Sequence, residues 1–556
     1  MALEHCAGSV CFFHLDPGAP KIFGFSELLA GLALIVVAWT IADFRFKFRI
    51  ATAPIPVVRI SSVIVMSVSV LALLTDLWRA EGWLVLSGGP LTPSSWQFLL
   101  AAFFLLSFFA WLWYAVISPP ALTSRTGKKI ERQIFETISN GSPHELAIVA
   151  DEVRRYAKTL ATQATNYDGR YLAVSPEDRS HPSLVEASAN NIYAILSDRR
   201  MCRAIVKNAP GAAVDIFEAI RFSGRYNVMA GTLGLNLVEE GIADKDSVLY
   251  SEGSGSVGGL MVFERSLLRT MFSDYFMLCG QSQLLKVDID KAALWSAVEL
   301  GAYTRVVLAA YTGFAVRHLD VRPRVFMHSF AIIGEAVKGL STVPVEENLF
   351  RHESVAKLRI VMRFIESGVG LLSAQPEKNL RYVRKRSGTY TSPDLLDDWV
   401  SIIVSQILQV AAVRRSQSLD YEVMQIVNQQ TFTSHRFSSR AGRRILHRVR
   451  RRLLDMLQVQ PGMAAMRVAN VLRFCLISFS HDSSARYHSQ QSRPLFLAVR
   501  GWLAENFLAW YRIAPDVANA SLPEGCQFDQ ANSKIILNTL GWVQDEGSTD
   551  HIIDLR

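Results

Sequence analysis

Three glycines near the middle of the chain are spaced as in a phosphate-binding turn. Gly253, Gly255 and Gly258 match the pattern G-x-G-x-x-G and precede a helical run. Glycines at this spacing allow a tight turn and a close approach of phosphate to the amides of a helix N-terminus. The surroundings favour a flexible Gly/Ser loop, because the predicted preceding strand covers only residues 247–250 and no alternating series of strands and helices flanks it. The glycines are thus a candidate phosphate site, with a plain linker as the alternative.

An arginine and a histidine at the start of a predicted helix form the second candidate site. Arg322 precedes His328 by six positions. This spacing resembles the R-x(4–6)-H element of the HEPN-type ribonucleases, whose folds are all helical. The resemblance covers only this short segment and implies a histidine acting as acid and base, an arginine that steadies a phosphate, and a dimer that completes the site. A structural histidine beside a helix-capping arginine is the alternative.

A run of arginines without an acidic residue predicts a basic amphipathic helix in the C-terminal part of the chain. Leucine and valine recur every three or four residues between positions 446 and 457, as on one face of a helix. The basic face would contact anionic lipid headgroups or nucleic-acid phosphates; a solvated face paired with acidic side chains is the alternative. The arginines assigned to this contact are Arg443, Arg444, Arg448, Arg450, Arg451 and Arg452.

The remaining reactive residue types form no known catalytic or metal-binding pattern. The cysteines show no C-x-x-C, the histidines no H-E-x-x-H, and no serine stands in G-x-S-x-G. We therefore predict no metal and no cofactor, and the sequence disfavours an enzyme. Cys6 and Cys11 are the two cysteines that would pair if the N-terminal segment lay in an oxidising space.

Charged residues are distributed unevenly along the elements that must position these sites. The first 120 residues hold six acidic and six basic side chains, so the whole formal net charge of +8 belongs to the rest of the chain. This composition excludes a small disulfide scaffold, a disordered chain and a collagen-like fibre, and it argues against a plain cytosolic enzyme. It predicts an apolar N-terminal region followed by a body of ordinary soluble composition.

Three apolar stretches predict a transmembrane domain over residues 22–118. The third stretch is 22 residues long and uncharged, enough to cross about 30 Å of hydrocarbon at 1.5 Å per residue. Thr92 and Pro93 predict its start, and Pro119 with Pro120 its end. Buried core helices of a soluble domain are the alternative. The predicted spans lie near 22–42, 57–78 and 96–117.

Basic residues flanking the three stretches predict one orientation. Eight lie on one side and two, Lys21 and Arg79, on the other, so the positive-inside rule places residues 1–21 outside as a short tail and the body in the cytoplasm, as at a bacterial inner membrane. The eight are Arg45, Lys47, Arg49, Arg59, Arg125, Lys128, Lys129 and Arg132.

Residues 119–556 show mainly helical periodicity. The apolar segment 292–316 is predicted to be a central buried helix rather than a fourth span, because Glu299 and Arg305 would lie deep in the bilayer. Turn-forming residues near 373–379 predict a division into a helical domain, 119–375, and a basic helical region, 376–556. The predicted fold is therefore all-α: a three-helix transmembrane anchor followed by a large, mostly helical cytosolic body.

Three functions are compatible with these features. The favoured one is an integral membrane protein that anchors a helical interaction or signalling domain at the inner membrane face. The alternatives are a membrane-tethered HEPN-like or nucleotide-handling enzyme, and a pore-forming or transport subunit gated by the cytosolic body. The predicted partners are the lipid bilayer, anionic lipid headgroups or nucleic acid through the basic helix, and a protein partner or a further copy of the chain.

Overall fold

The structure is a computed structural model that is mostly helical, with 77% helix and 3% strand, which confirms the predicted mostly helical class. It divides into two compact units, Met1–Met229 and Ala230–Arg556. The sequence-predicted boundary at 375/376 lies within the second unit and stays a prediction. The residues described are 5–7, 10–14, 21–41, 43–87, 92–168, 173, 181–254, 266–315, 324–342, 351–375, 386–387, 390–391, 394–414, 417–458, 461–480, 492–522, 526–537 and 552–555.

The first unit contains ten of the helices that we describe and one antiparallel sheet, with strand order β1-β2-β3. The strands are β1 His5–Ala7, β2 Val10–His14 and β3 Leu84–Ser87. The helices are α1 Phe25–Ile41, α2 Phe44–Ala51, α3 Val57–Ala80, α4 Pro93–Leu112, α5 Gly127–Asn140, α6 Pro143–Arg154, α7 Ala157–Gln163, α8 Leu184–Leu196, α9 Arg199–Asn208 and α10 Pro210–Ser223.

Two helices of this unit are long and apolar enough to cross a membrane by length and composition: α3 and α4, the latter continued by a π-helical turn, Trp113–Ile117. The start of α4 follows the prediction, since Thr92 accepts a hydrogen bond from the amide of Ser95 and Pro93 occupies the first helical position. The first predicted span is a 17-residue helix, α1, which is shorter than the 18 residues required here of a membrane-spanning helix. Two such helices are therefore found, and the third predicted span is unconfirmed.

The helices α1, α3 and α4 pack around a small apolar core, and we call these three the apolar bundle. Leu28 of α1, Val68 and Ala72 of α3, and Leu100 and Phe104 of α4 form this buried cluster. A second cluster joins the other end of α3 to α2 and the π-helical turn through Ile50, Ala53, Val57 and Ala115. Apolar packing thus connects all four N-terminal helices within the first unit.

The second unit contains fourteen of the described helices and two small sheets. The helices are α11 Gly231–Ala243, α12 Val248–Ser254, α13 Leu267–Phe272, α14 Tyr275–Gly280, α15 Ile289–Ala293, α16 Ala297–Ala315, α17 Arg324–Glu335, α18 Glu353–Ser373, α19 Leu395–Ala411, α20 Gln417–Asn428, α21 Arg440–Leu457, α22 Pro461–Ser480, α23 Arg493–Ile513 and α24 Pro515–Ser521. The strands are β4 Arg386–Ser387, β5 Tyr390–Thr391, β6 Cys526–Asp529, β7 Lys534–Leu537 and β8 Ile552–Asp554.

Residues 297–315 of the segment 292–316 form the buried helix that the sequence predicts, after a turn at residues 294–296. Twelve of the nineteen residues of α16 are buried, among them Tyr303 and Tyr311. Tyr311 accepts a hydrogen bond from the indole Nε1 of Trp399 on α19, at 3.1 Å, and both side chains are fully buried. This helix therefore lies in the core of the second unit.

The predicted strand at residues 247–250 is wrong, because these residues begin the helix α12. Ser247 donates its hydroxyl to the carbonyl of Gly241 and accepts the amide of Tyr250, an arrangement typical of a helix cap. Local hydrogen bonding by the serine therefore outweighs the short apolar alternation that suggested a strand.

Candidate functional site

The glycine motif is only partly described by the structure. Gly253 lies in the last turn of α12, so a helix takes the place of the strand that would precede a phosphate-binding turn. Gly255 and Gly258 lie outside the described residues. The phosphate site stays a prediction.

The arginine–histidine pair is likewise half described. His328 is exposed in the second turn of α17, while Arg322 lies outside the described residues. Their joint site stays a prediction.

The predicted basic helix is α21, and its arginines differ in their surroundings. Its apolar face is buried through Ile445, Val449 and Leu453. Arg443 and Arg451 are exposed on the other face, and Arg444 and Arg450 are half-buried. Burial lowers the pKa of Arg450.

One arginine of α21, Arg448, forms ion pairs with two carboxylates inside the second unit. Arg448 Nη2 lies 2.8 Å from Asp394 Oδ2, and its Nη1 lies 3.2 Å from Asp397 Oδ1. Both carboxylates belong to the capping box that begins α19. Burial by itself would lower the pKa of Arg448, but the bonds to Asp394 and Asp397 raise it. Arg452 also faces α19, with Nη1 3.3 Å from the Ser401 hydroxyl. Arg448 thus links α21 to α19, Arg452 is exposed with this one contact, and Arg443 and Arg451 are exposed on the other face.

A second cluster of charges lies in the first unit, where the segment between α1 and α3 meets α5 and α6. We call Arg45, Arg49, Lys129, Asp151 and Glu152 the junction. The sequence presents its basic members as flanking charges of the apolar stretches.

Arg49 and Glu152 form the buried centre of the junction. Arg49 Nε and Nη2 lie 2.9 and 2.6 Å from the two carboxylate oxygens of Glu152, a two-point contact. Arg49 Nη1 donates to the carbonyl of Ala115, at 3.0 Å, in the π-helical turn after α4. The side chains are 11% and 2% exposed. One guanidinium therefore links α2, the end of α4, and α6.

The environment of Arg49 favours its charged form. The hydrogen bond to Glu152 raises the pKa of Arg49 above its ordinary value, against the opposing effect of burial. Tyr156 is 3% exposed, and burial followed by the Glu152 charge raises the pKa of its phenol. Removing either charge would leave the other buried without its two-point partner, so a single substitution in this pair should be strongly destabilising.

The outer contacts of the junction are more accessible to water. Arg45 Nη2 lies 2.7 Å from Asp151 Oδ2, between side chains that are 38% and 41% exposed. Lys129 Nζ of α5 donates to the carbonyls of Ala53 and Pro54, at 2.7 and 3.2 Å, just before α3 begins. Together these bonds fasten the segment between α1 and α3 to the helices that follow the apolar bundle.

Polar contacts also join the three apolar helices at the end far from the junction. Asp76 of α3 accepts the amide of Phe25, at 2.9 Å, and pairs with Lys21 at 3.2 Å. Gln97 of α4 accepts the amide of Ile22, at 2.9 Å. The side chains of α3 and α4 thus satisfy backbone amides at the start of α1.

One feature of the sequence, an acidic residue on an apolar helix face, indicates that the junction needs a cation. Glu152 stands on the face of α6 that is otherwise apolar, beside Val149 and Val153. A lone carboxylate on a buried face needs a cation or a donor, because an unpaired buried charge is costly. In the structure this cation comes from Arg49, 103 positions away.

The hairpin of β1 and β2 bears on the predicted cysteine pairing. Its backbone register places Cys6 directly opposite Cys11. The pairing of the two thiols stays a prediction.

Comparison of the chain with protein-family models, curated proteins and solved structures gives no match in any of the three.

Proposed function

We propose that this protein is an integral membrane protein in which α1, α3 and α4 anchor a helical cytosolic interaction or signalling domain at the inner face of the membrane. The observation that carries the proposal is the outward orientation of apolar side chains on α3 and α4. In the most apolar 18-residue stretch of each helix, only 17% and 22% of the residues, respectively, are buried within the protein. Met66, Val63 and Leu106 are more than half exposed.

The contrast with α16 makes this observation informative. That helix is also apolar, yet its residues pack inside the second unit. A soluble core helix buries its apolar surface in this way, because exposure to water is unfavourable. For helices that are apolar on all sides and exposed on the protein surface, contact with lipid is more favourable than contact with water.

Two observations support including α1 as a third span. Its Leu28 belongs to the core that α3 and α4 share, and its N-terminal amides bond to Asp76 and Gln97. Seventeen residues of helix extend about 26 Å, and residues 22–24 add to that length before α1 begins. A helix joined to its neighbours at the core and at one end fits the same bilayer as they do.

The orientation follows from the basic flanks. The junction takes up Arg45, Arg49 and Lys129 at the end of the bundle where α3 begins. The positive-inside rule assigns that end to the cytoplasm and the strands β1–β3 to the outside. In this arrangement the junction connects α5 and α6 to the start of α3 and the end of α4.

Membrane extraction and protease protection test the proposal. The full chain should stay in the membrane pellet at alkaline pH, because burial of apolar helices in lipid does not depend on charge. Trypsin should degrade residues 119–556 in inverted vesicles and leave them intact in right-side-out vesicles. Release of the chain by alkali would refute the anchor, and digestion of the body in right-side-out vesicles would refute the orientation.

A further inference from the structure

An apolar cavity of about 320 Å³ lies between α1, α3 and α4. Its lining includes Ile35 and Val36 of α1, Val58 and Val65 of α3, and Trp111 of α4. On α3 these residues belong to the first turns, so the cavity lies in the half of the bundle nearer the junction. A volume of this size is at the lower end of the range for ligand sites.

The cavity presents no free polar group from its three serines. Ser62 donates its hydroxyl to the carbonyl of Val58, at 2.8 Å, and Ser107 donates to that of Phe104, at 2.7 Å. Ser61 is directed to the carbonyl of Ser107, at 3.5 Å. Because these hydroxyls donate to backbone carbonyls, the cavity lining is suited to bind a hydrocarbon chain rather than a polar solute.

The cavity opens sideways from the bundle. Val36 and Val58, which line it, are 51% and 48% exposed. If the bundle spans a bilayer, this opening faces the acyl chains of the leaflet on the junction side. The molecules present there in excess are membrane lipids.

A cation stands beside the opening. Arg59 is exposed, lies in the same turn as Val58 and is three positions before Ser62, so it neighbours the cavity on the helix surface. Among the residues that the structure describes, none forms an ion pair with Arg59. About 9 Å of helix separates Arg59 from Val65, which spans the distance from headgroup level into the hydrocarbon.

We propose that this cavity binds the acyl chain of an anionic phospholipid from the inner leaflet, with the lipid phosphate at Arg59. The inference rests on the proposed membrane anchor, because it assigns the opening to the lipid phase. It adds a specific lipid site, defined by an apolar cavity and one adjoining cation, to a protein that otherwise needs lipid only as a solvent.

Native mass spectrometry of the delipidated full chain in mild detergent tests the site. The probes are phosphatidylglycerol and phosphatidylcholine with identical acyl chains. We expect one tightly bound phospholipid, with phosphatidylglycerol favoured by about fivefold through the single basic contact. Arg59→Gln should abolish this preference, whereas Arg125→Gln, at an exposed arginine after the third span, should keep it.

A cavity-filling pair of variants tests the acyl-chain part. Ser62→Phe should weaken phospholipid binding by about tenfold or more, since each methylene excluded from apolar surroundings lowers the affinity. Ser67→Phe, on an exposed face of α3 outside the cavity, is the matched control and should bind as the unchanged protein does.

Three results would overturn the lipid site. One is equal phospholipid binding by the Ser62→Phe and Ser67→Phe variants, and another is an anionic preference that survives Arg59→Gln. The third is a change of oligomeric state in Ser62→Phe with lipid binding intact, which would assign the cavity to a helix of a second copy. Alkaline extraction of the same samples separates these outcomes from failure of the membrane anchor itself.

Discussion

At the scale of single residues, the Arg49–Glu152 pair is the most consequential contact of the junction. Its two-point geometry and its burial mean that the two charges stabilise each other and are costly alone. Arg49→Met should lower the free energy of unfolding by about 3 kcal/mol, because buried Glu152 would keep only the longer contact to Arg45 Nε, at 3.5 Å. Thermal unfolding of the detergent-solubilised full chain measures this change as a fall in Tm.

Two companion variants separate burial from charge. Arg132→Met breaks an ion pair with Glu136 whose arginine is 81% exposed, and it should change stability by less than about 1 kcal/mol. Adding Glu152→Leu to Arg49→Met should recover most of the loss, since an apolar pair tolerates burial. Equal effects of Arg49→Met and Arg132→Met would show that the pair does not have the assigned role.

At the scale of elements, the arginines of α21 have two different surroundings, an internal ion pair and the exposed surface, which the sequence alone does not distinguish. Arg448 is bound to the capping carboxylates of α19, while Arg443 and Arg451 are exposed. Arg448→Met should destabilise the fold by about 2–3 kcal/mol, because it removes the ion pairs with the partly buried carboxylates of Asp394 and Asp397. Thermal unfolding measures the loss.

The exposed arginines of α21 should instead govern binding to anionic surfaces. The double variant Arg443→Gln/Arg451→Gln should keep the unchanged Tm and bind phosphatidylglycerol vesicles about 25-fold more weakly, at roughly fivefold per basic residue. Vesicle co-sedimentation of residues 230–556 measures it, and duplex DNA is the rival ligand. If the double variant binds both ligands as tightly as the unchanged protein does, this face is a solvated surface.

At the scale of the whole molecule, the junction makes the helical body depend in part on the apolar bundle. Removing residues 1–118 takes away the cation that Glu152 bonds to and the carbonyls that Lys129 bonds to. We expect residues 119–556 alone to be soluble and helical, with Glu152 hydrated. Glu152→Gln should therefore cost about 3 kcal/mol in the full chain and less than about 1 kcal/mol in this fragment.

Circular dichroism during heating compares the two backgrounds. Aggregation of residues 119–556 under all mild conditions would contradict an independently soluble body. An equal cost of Glu152→Gln in both backgrounds would mean that Glu152 is stabilised within α5–α10 and not by Arg49.

Most helix positions could be predicted because their signals are local. Ser142 with Glu145, and Ser183 with Glu186, have the sequence spacing of a capping box, and α6 and α8 begin directly after these serines. The helix α16 is buried, as the sequence predicts for this segment. The error at 247–250 arose because four residues of alternating polarity carry less information than the hydrogen bonds of Ser247.

The candidate sites were less predictable because they depend on which faces pack together. The sequence by itself determined the apolar lengths, the charge asymmetry and the amphipathic face of α21, all properties of contiguous segments. Only the tertiary structure decided that Arg49 meets Glu152, 103 positions away, and that Arg448 is bound to α19 while Arg443 remains exposed. A pairing between distant residues follows from the packing of whole helices, and no local pattern records which partner a buried charge will find.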